Sequence, residues 1–262
     1  MYQWITESCV FYDTETTWKN ENNDDHIIQI AYTYKDLREC RLYWSPKKIG
    51  LWAMATHHIT QDMIEWKPVF RSSEQRQACK RLNNAWKIFV AHNARFDNQM
   101  MKQAWIDIVH SICTMKLARH VLYEDETCEE FSLQYLRYFF WLKFESEINP
   151  HDAMSDTVVL VKLFERLFDM LCRQELDEFD EWSLEKMLER CEEISNSPTL
   201  IRIMPFWKHK WKTFDEIESE DPQYVWRFLR QDAIDEDVAY SMRTARKKAG
   251  AATESANSEL PF

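Results

Sequence analysis

Phe11-Tyr12-Asp13-Thr14-Glu15-Thr16 closes an apolar, β-rich run that opens at Cys9. Successive side chains of a strand alternate between faces, so Asp13 and Glu15 leave the same side. Two such carboxylates repel each other, and the pair becomes favourable only with a cation between them. Asp-x-Glu is also a common tripeptide, and taken alone an acidic strand end in water is the plainer reading. From this strand the rest of the chain can be read outward. His26 to Tyr34 (HIIQIAYTY) reads as a second strand and Arg41 to Trp44 as a third, a meander joined by polar loops. Ser73 to Trp86 reads as a helix with Ser72 or Ser73 as N-cap. Ile88 to Ala91 reads as a buried strand, Ala94 to Trp105 as a helix and His110 to Cys113 as a further strand, with helices following at about 114–122, 131–141 and 152–173. This order predicts an α/β layered fold with a mixed central sheet flanked by helices.

Two more segments end apolar runs on a carboxylate. Ala91-His92-Asn93-Ala94-Arg95-Phe96-Asp97 places Asp97 in the first turn of a helix, where the helix dipole alone would favour an acid. In His151-Asp152-Ala153-Met154-Ser155-Asp156, the preceding Asn149-Pro150 predicts a turn, with the helix starting near Asp152. On one continuous helix His151 and Asp156 would lie roughly 140° apart and could not share a site. A helix beginning at Asp152 instead leaves His151 on a loop and turns Asp156 inward. A capping histidine beside a solvated aspartate is the plainer alternative. Taken together, four carboxylates and one histidine offer hard oxygen ligands for Mg²⁺ or Mn²⁺ and a base of near-neutral pKa. That set is what metal-assisted hydrolysis of a phosphodiester requires.

At 262 residues and 45% hydrophobic content the chain can hold one large domain, or a core domain with an appendage. No stretch approaches the roughly 20 apolar residues of a membrane span, and no signal-peptide pattern opens the chain. The expectation is a soluble, cytoplasmic protein with no membrane partner. The seven cysteines are scattered without a CxxC pair, which argues against a disulfide framework or a zinc site. A net charge of −11 argues against a broad basic surface for nucleic acid, but bound divalent cations would reverse the sign locally.

The expected organisation is a core domain over residues 1–173, a charge-dense helical connector over 174–199, a small C-terminal module over 200–248 and a disordered tail over 249–262. One compositional anomaly crosses these boundaries. Glycine occurs twice, as Gly50 and Gly250, whereas tryptophan occurs twelve times. A mixed fold normally places glycine wherever φ is positive. Trp18, Trp86, Trp207 and Trp211 stand where a turn would want it. Two readings are open: a chain truly rich in tryptophan, or glycine codons read as tryptophan, as when UGA encodes glycine in the source.

In this order and spacing the motifs resemble the DEDDh branch of the DnaQ-like proofreading-exonuclease superfamily, nearest to exonuclease X-like proteins. The first motif is Asp13-Thr14-Glu15-Thr16, the second Ala91 to Asp97 and the third His151-x-Ala153-x-x-Asp156. Ala53-Met54-Ala55-Thr56-His57-His58-Ile59-Thr60 is similar to the family's H-x-I-T segment, and Ile112 to Arg119 to the stretch after motif two. Phe206 to Phe214 resembles an FGKYKGKTF element, with Trp207 and Trp211 in place of its glycines.

The resemblance covers nearly the whole chain. It implies a ribonuclease H-like three-layer α/β fold with a small C-terminal module, and a 3′→5′ exonuclease using two divalent cations, Mg²⁺ or Mn²⁺. Asp13, Glu15 and Asp156 would hold one cation, and Asp13 with Asp97 would support the second. His151 would be the general base. Thr14 would offer its backbone N–H to the terminal 3′-hydroxyl, Asn93 would belong to the substrate site, and Phe96, Met54 and His57 would wall the last base. The implied partner is a nucleic-acid 3′ end, with single-stranded DNA favoured. RNA, as in RNase T or oligoribonuclease, is the alternative because the motifs are shared. A non-catalytic nucleic-acid-binding or polymerase-interaction module is the reading from another class, and association with a polymerase has no motif of its own here.

Overall fold

Strand β1 (Cys9–Thr16) lies at the centre of a five-stranded sheet ordered β3-β2-β1-β4-β5. The structure, a computed structural model, describes residues 3–18, 25–145, 147–175, 184–231 and 234–258. Strand β2 (Ile27–Tyr34) pairs antiparallel with β1 and with β3 (Leu37–Leu42), whereas β4 (Ile88–Ala91) and β5 (Ser111–Cys113) continue the sheet in parallel. The sheet is therefore mixed, as the order of elements predicts.

The third strand begins earlier than expected, at Leu37 and not Arg41. Only Lys35 and Asp36 separate it from β2, and Lys35 turns the chain with φ 53°. Leu37 to Cys40 reads Leu-Arg-Glu-Cys, without β-branched residues, so propensity misses an edge strand that backbone pairing with β2 creates.

Helices α1 (Gln3–Ser8), α2 (Leu51–His57), α3 (Gln61–Ile64), α4 (Glu74–Asn84), α5 (Ala94–Gln103), α6 (Thr114–Val121), α7 (Leu133–Phe139), α8 (Ala153–Glu175) and α9 (Leu184–Asn196) follow in chain order, then α10 (Phe214–Glu220), α11 (Pro222–Phe228) and α12 (Glu236–Ser258). Contacts divide the chain into two units: Met1–Leu117 with Phe131–Ser195, and Ala118–Glu130 with Asn196–Phe262.

In the first unit the alternation of β1 sorts its side chains between two helical layers. Phe11 meets Phe164 of α8 edge-on at 5.6 Å, and Tyr12 meets Phe89 of β4 at 5.4 Å on the opposite face. That opposite face joins Val10 and Tyr12 to Cys79 of α4 and to Met100 and Met101 of α5 in one buried cluster. Aromatic and aliphatic burial of this kind contributes roughly 1.5–3 kcal/mol per side chain. Helix α4 starts where the sequence indicates, with the Ser73 side chain accepting the Arg76 N–H.

Helix α9, within the charge-dense connector, is packed and not free in solvent. Met187, Leu188, Cys191 and Ile194 are buried at helical spacing, so a charged sequence still carries an apolar stripe. Residues 176–183, the most acidic part of that connector, lie outside the described residues.

The second unit has its own core of Ile201, Met204, Phe214, Ile217, Val225, Phe228, Val238 and Met242. Thr213 and Glu216 form a capping box at α10, and the Asp221 side chain caps α11. Buried Asp237 pairs with Arg119 and accepts the Thr199 N–H at 2.9 Å. Lys208 and Lys212, in the basic stretch, pair with Asp221 and Glu220. Helix α12 continues to Ser258, past the boundary at 249, and residues 259–262 lie outside the described residues. Among the described residues no helix is long and apolar enough to cross a membrane.

Candidate active site

The end of β1 carries Asp13 and Glu15 on the face that α8 covers. The first turn of α8 brings Asp156, and ligand oxygens of these three residues all lie within 4.8 Å of one another. The other face of β1 carries Thr14, whose backbone N–H and hydroxyl both donate to one oxygen of Asp97, at 3.0 and 2.6 Å. Asp97 reaches that position because Asn93, two residues past the end of β4, takes a left-handed conformation (φ 64°, ψ 47°) and starts α5. The pairing of β1 with β2 shifts register between Glu15 and Thr16, an irregularity placed directly beside the carboxylates.

The loop before α8 has the expected form. Helix α8 begins at Ala153, and the Asp152 side chain accepts the Ser155 N–H at 3.0 Å. His151 precedes the helix with φ 62°, and its backbone N–H donates to Asp156 Oδ2 at 3.0 Å. His151 and Asp156 thus share a site because the chain turns between them. His151 lines a cavity of about 540 Å³ together with Asp13, Glu15, Asn93, Phe96 and Asp156.

Three of the expected substrate residues have partners within the protein. The Thr14 N–H donates to Asp97, and Thr14 itself lines the cavity. Met54 packs against the cluster of Ile28, Ile49, Ala53, Ile59 and Ile64 and is not among the residues lining the cavity; Ala53 and Thr56 stand there instead. His57 does line the cavity, but it is buried with both ring nitrogens engaged. Its Nε2 lies 3.2 Å from the Thr16 carbonyl, and its Nδ1 accepts the Ile59 N–H at 3.0 Å. A carbonyl accepts only, so Nε2 carries the hydrogen and the ring is neutral. Phe96 packs partly into the core and also lines the cavity.

Two glutamines complete the site without any sequence motif. Gln134 of α7 donates to Asp156 Oδ1 at 2.7 Å, and Arg137 donates to the Gln134 carbonyl oxygen at 3.2 Å. Gln29 of β2 accepts the Ala153 N–H at 3.2 Å and so fixes the start of α8 from the sheet. A signal for Gln29 exists: it is a polar residue inside the apolar run Ile27-Ile28-Gln29-Ile30. For Gln134 there is none. His92 also lines the cavity, with Nδ1 2.9 Å from the Thr114 hydroxyl and Nε2 2.8 Å from the Phe131 carbonyl.

Burial and like charge make the cluster hard to ionise. Asp13 is pushed well above the usual carboxylate range by burial, then by the charges of Asp97, Glu15, Asp156 and Asp152. Burial raises Asp97 to about 7 against the lowering effect of the two Thr14 hydrogen bonds. Asp156 is raised to about 6 by burial, which the His151 N–H and Gln134 partly offset. An all-oxygen donor set under mutual repulsion fits a hard divalent cation, whose binding would turn the repulsion into attraction.

Comparison with known proteins identifies a family and a shared fold. The model of the RNase_T exonuclease family matches residues 10–164. Exonuclease X, solved in complex with 5′ overhanging duplex DNA, is 22% identical over 72% of this chain and 99% of that chain, with a TM-score of 0.50. E. coli exonuclease I, solved with a dT13 oligonucleotide, is 15% identical over 63% of this chain, with a TM-score of 0.50. This chain spans only 42% of that second protein. No curated sequence matches. At these identities the solved structures establish a shared fold, the ribonuclease H-like arrangement expected from the motifs.

Proposed function

This chain belongs to the RNase_T exonuclease family, and from that premise we propose that it releases nucleotides from the 3′ end of single-stranded DNA with two divalent cations, Mg²⁺ or Mn²⁺, and His151 as general base. As a family member it is a 3′–5′ exonuclease, a phosphodiester hydrolase. The observation that carries the finer reading is the convergence of Asp13, Glu15 and Asp156 within 4.8 Å at the cavity that His151 lines.

Asp13, Glu15 and Asp156 would hold one cation, and Asp13 with Asp97 would support a second. Divalent cations there supply charge stabilisation for the attacked phosphate and acidify the attacking water. His151, on its loop, takes the proton from that water. Gln134 and the His151 backbone N–H hold the two oxygens of Asp156 in fixed directions, and Thr14 does the same for Asp97. Phe96 and Asn93 border the space for the terminal nucleotide. The aromatic face of Phe96 suits an unpaired base, which supports a single-stranded substrate.

DNA is favoured because alignment spans nearly all of an exonuclease X chain that was solved with DNA. The test uses DNA and RNA oligonucleotides of one sequence, labelled at the 3′ or the 5′ end, with Mg²⁺, Mn²⁺ or EDTA. Metal-dependent release of the 3′ label, faster on DNA, is the expected result. Faster release from RNA would reassign the substrate. Cutting in the interior, or activity that survives EDTA, would overturn the mechanism.

A further inference from the structure

Ten described residues other than glycine hold φ in the left-handed region, and six are tryptophans: Trp66, Trp86, Trp105, Trp141, Trp207 and Trp211, with φ between 51° and 75°. Neither glycine of the chain has a positive φ. Among the other four, His58, Asn93 and His151 belong to types that tolerate this region, whereas a bulky side chain there is a genuine outlier. Tryptophan makes up 12 of 262 residues, so its share of the chain does not account for six positions in ten.

Five of the six occupy backbone motifs whose geometry requires glycine. Helix α4 ends with Trp86 N–H on the Asn83 carbonyl at 3.1 Å and Lys87 N–H on the Leu82 carbonyl at 3.2 Å. Helix α5 ends with Trp105 on Lys102 and Ile106 on Met101, both at 2.9 Å. Helix α7 repeats the pattern, with Trp141 on Tyr138 and Leu142 on Arg137, both at 3.0 Å. Each is a Schellman termination with tryptophan at the left-handed position, where glycine avoids a clash between its missing Cβ and the backbone.

The other two are type II turns. Glu65 (φ −57°, ψ 136°) precedes Trp66, and the Lys67 N–H closes on the Ile64 carbonyl at 3.1 Å. Lys210 (φ −50°, ψ 135°) precedes Trp211, and the Lys212 N–H closes on the His209 carbonyl at 3.1 Å. The third residue of such a turn needs a positive φ, hence glycine.

Nothing about the indoles explains these backbones. All six are more than half exposed, from 53% at Trp211 to 91% at Trp66. Arg71 lies over Trp105 and His110 beside Trp86, and Trp207 meets a buried ring, Phe228 at 5.5 Å; none of these contacts depends on a left-handed backbone. Trp18 is different. Its φ is not positive, and its ring lies against Gly50, where a Cβ would fall 1.7 Å from the indole Cε3. The backbone therefore sorts the tryptophans, which composition alone does not.

We infer that residues 66, 86, 105, 141, 207 and 211 are glycine in the native polypeptide, their codons being UGA decoded by a glycine-charged transfer RNA. Peptide mass spectrometry of the protein from its natural host, set beside the codons of its gene, is the test. UGA at the six positions with glycine in the corresponding peptides is the expected result. UGG codons would overturn the inference. So would UGA codons whose peptides carry tryptophan.

Discussion

The side-chain amide of Gln134 donates to Asp156 Oδ1 at 2.7 Å, and this contact joins the first turn of α7 to the first turn of α8 across the candidate metal centre. A hydrogen bond to a charged group contributes about 1.5–3 kcal/mol, and partners behind a metal ligand typically govern 10–100-fold in affinity or rate. Gln134→Ala should therefore lower kcat and weaken Mn²⁺ binding by about that factor, measured by metal titration beside steady-state kinetics. Gln134→Glu should be worse than alanine, since it adds a like charge against Asp156. Equal metal affinity in all three proteins would remove Gln134 from the site.

Asp13→Ala and Asp156→Ala should each lower kcat by at least about 10³-fold, because each removes a ligand to a charge-stabilising cation. Neither should lower the melting temperature of the metal-free protein at neutral pH, since a repelling carboxylate is gone. A variant that keeps a tenth of the wild-type rate would exclude that residue as a ligand.

His151→Ala should reduce the rate by about 10²–10⁴-fold and flatten the acidic limb of the pH–rate profile, while leaving metal affinity nearly unchanged. Asp152, beside His151, is the other titratable group that opens the third motif. Here its side chain caps α8 through Ser155, a role asparagine also fills. Asp152→Asn should stay active. Loss of activity in that variant with tolerance of His151→Ala would reverse the assignment.

Metal-free protein should lose stability as pH rises. The folded-state values of Asp97 and Asp156, about 7 and about 6, exceed the ordinary carboxylate value of 3.8. The folded state then binds more protons than the unfolded one between those values, so the contribution is present below pH 4 and disappears as pH climbs to 7. Thermal melts in EDTA should fall across this window, and Mn²⁺ should restore the loss at pH 7.5. A melting temperature that rises with pH in EDTA, with Asp13, Asp97 and Asp156 intact, would contradict the buried repulsion.

Replacing Trp86, Trp105 or Trp141 by glycine should raise stability by about 1–2 kcal/mol each, the cost of a left-handed conformation for a residue with a side chain. Trp226→Gly inside α11 should do the opposite, since glycine weakens a helix interior and the stack on Arg230 is lost. Chemical denaturation of the four single variants separates the two effects. Destabilisation at all four sites would show that the indoles contribute more than their backbones cost.

The carboxylates were legible in the sequence because each borders an apolar run, Asp156 at its start, where charge has a desolvation cost that only function or a partner offsets. His151 was legible through Asn149-Pro150, which places the helix start. Of the two glutamines, Gln29 left only its polarity inside an apolar run and Gln134 left nothing. Gln134 and Asp156 meet across 22 residues and Gln29 and Ala153 across 124, and neither pair leaves a periodic trace. Thr14 and Met54 entered through the resemblance alone, which does not show that the Thr14 N–H donates to Asp97 or that Met54 packs beside Ile28. Trp86, Trp207 and Trp211 stood out because they separate elements. Trp105 did not, because it ended a helix pattern that a Schellman turn extends by one residue.

The alternation of β1 has a further consequence for what the gene can tolerate. Asp13 and Glu15 serve α8 while Thr14, between them, serves α5, so the strand has two customers and no idle position. Adding or deleting one residue upstream would turn both carboxylates toward Asp97 and the threonine toward Asp156. Length changes in this protein should therefore accumulate in its loops, and β1 should accept replacement only.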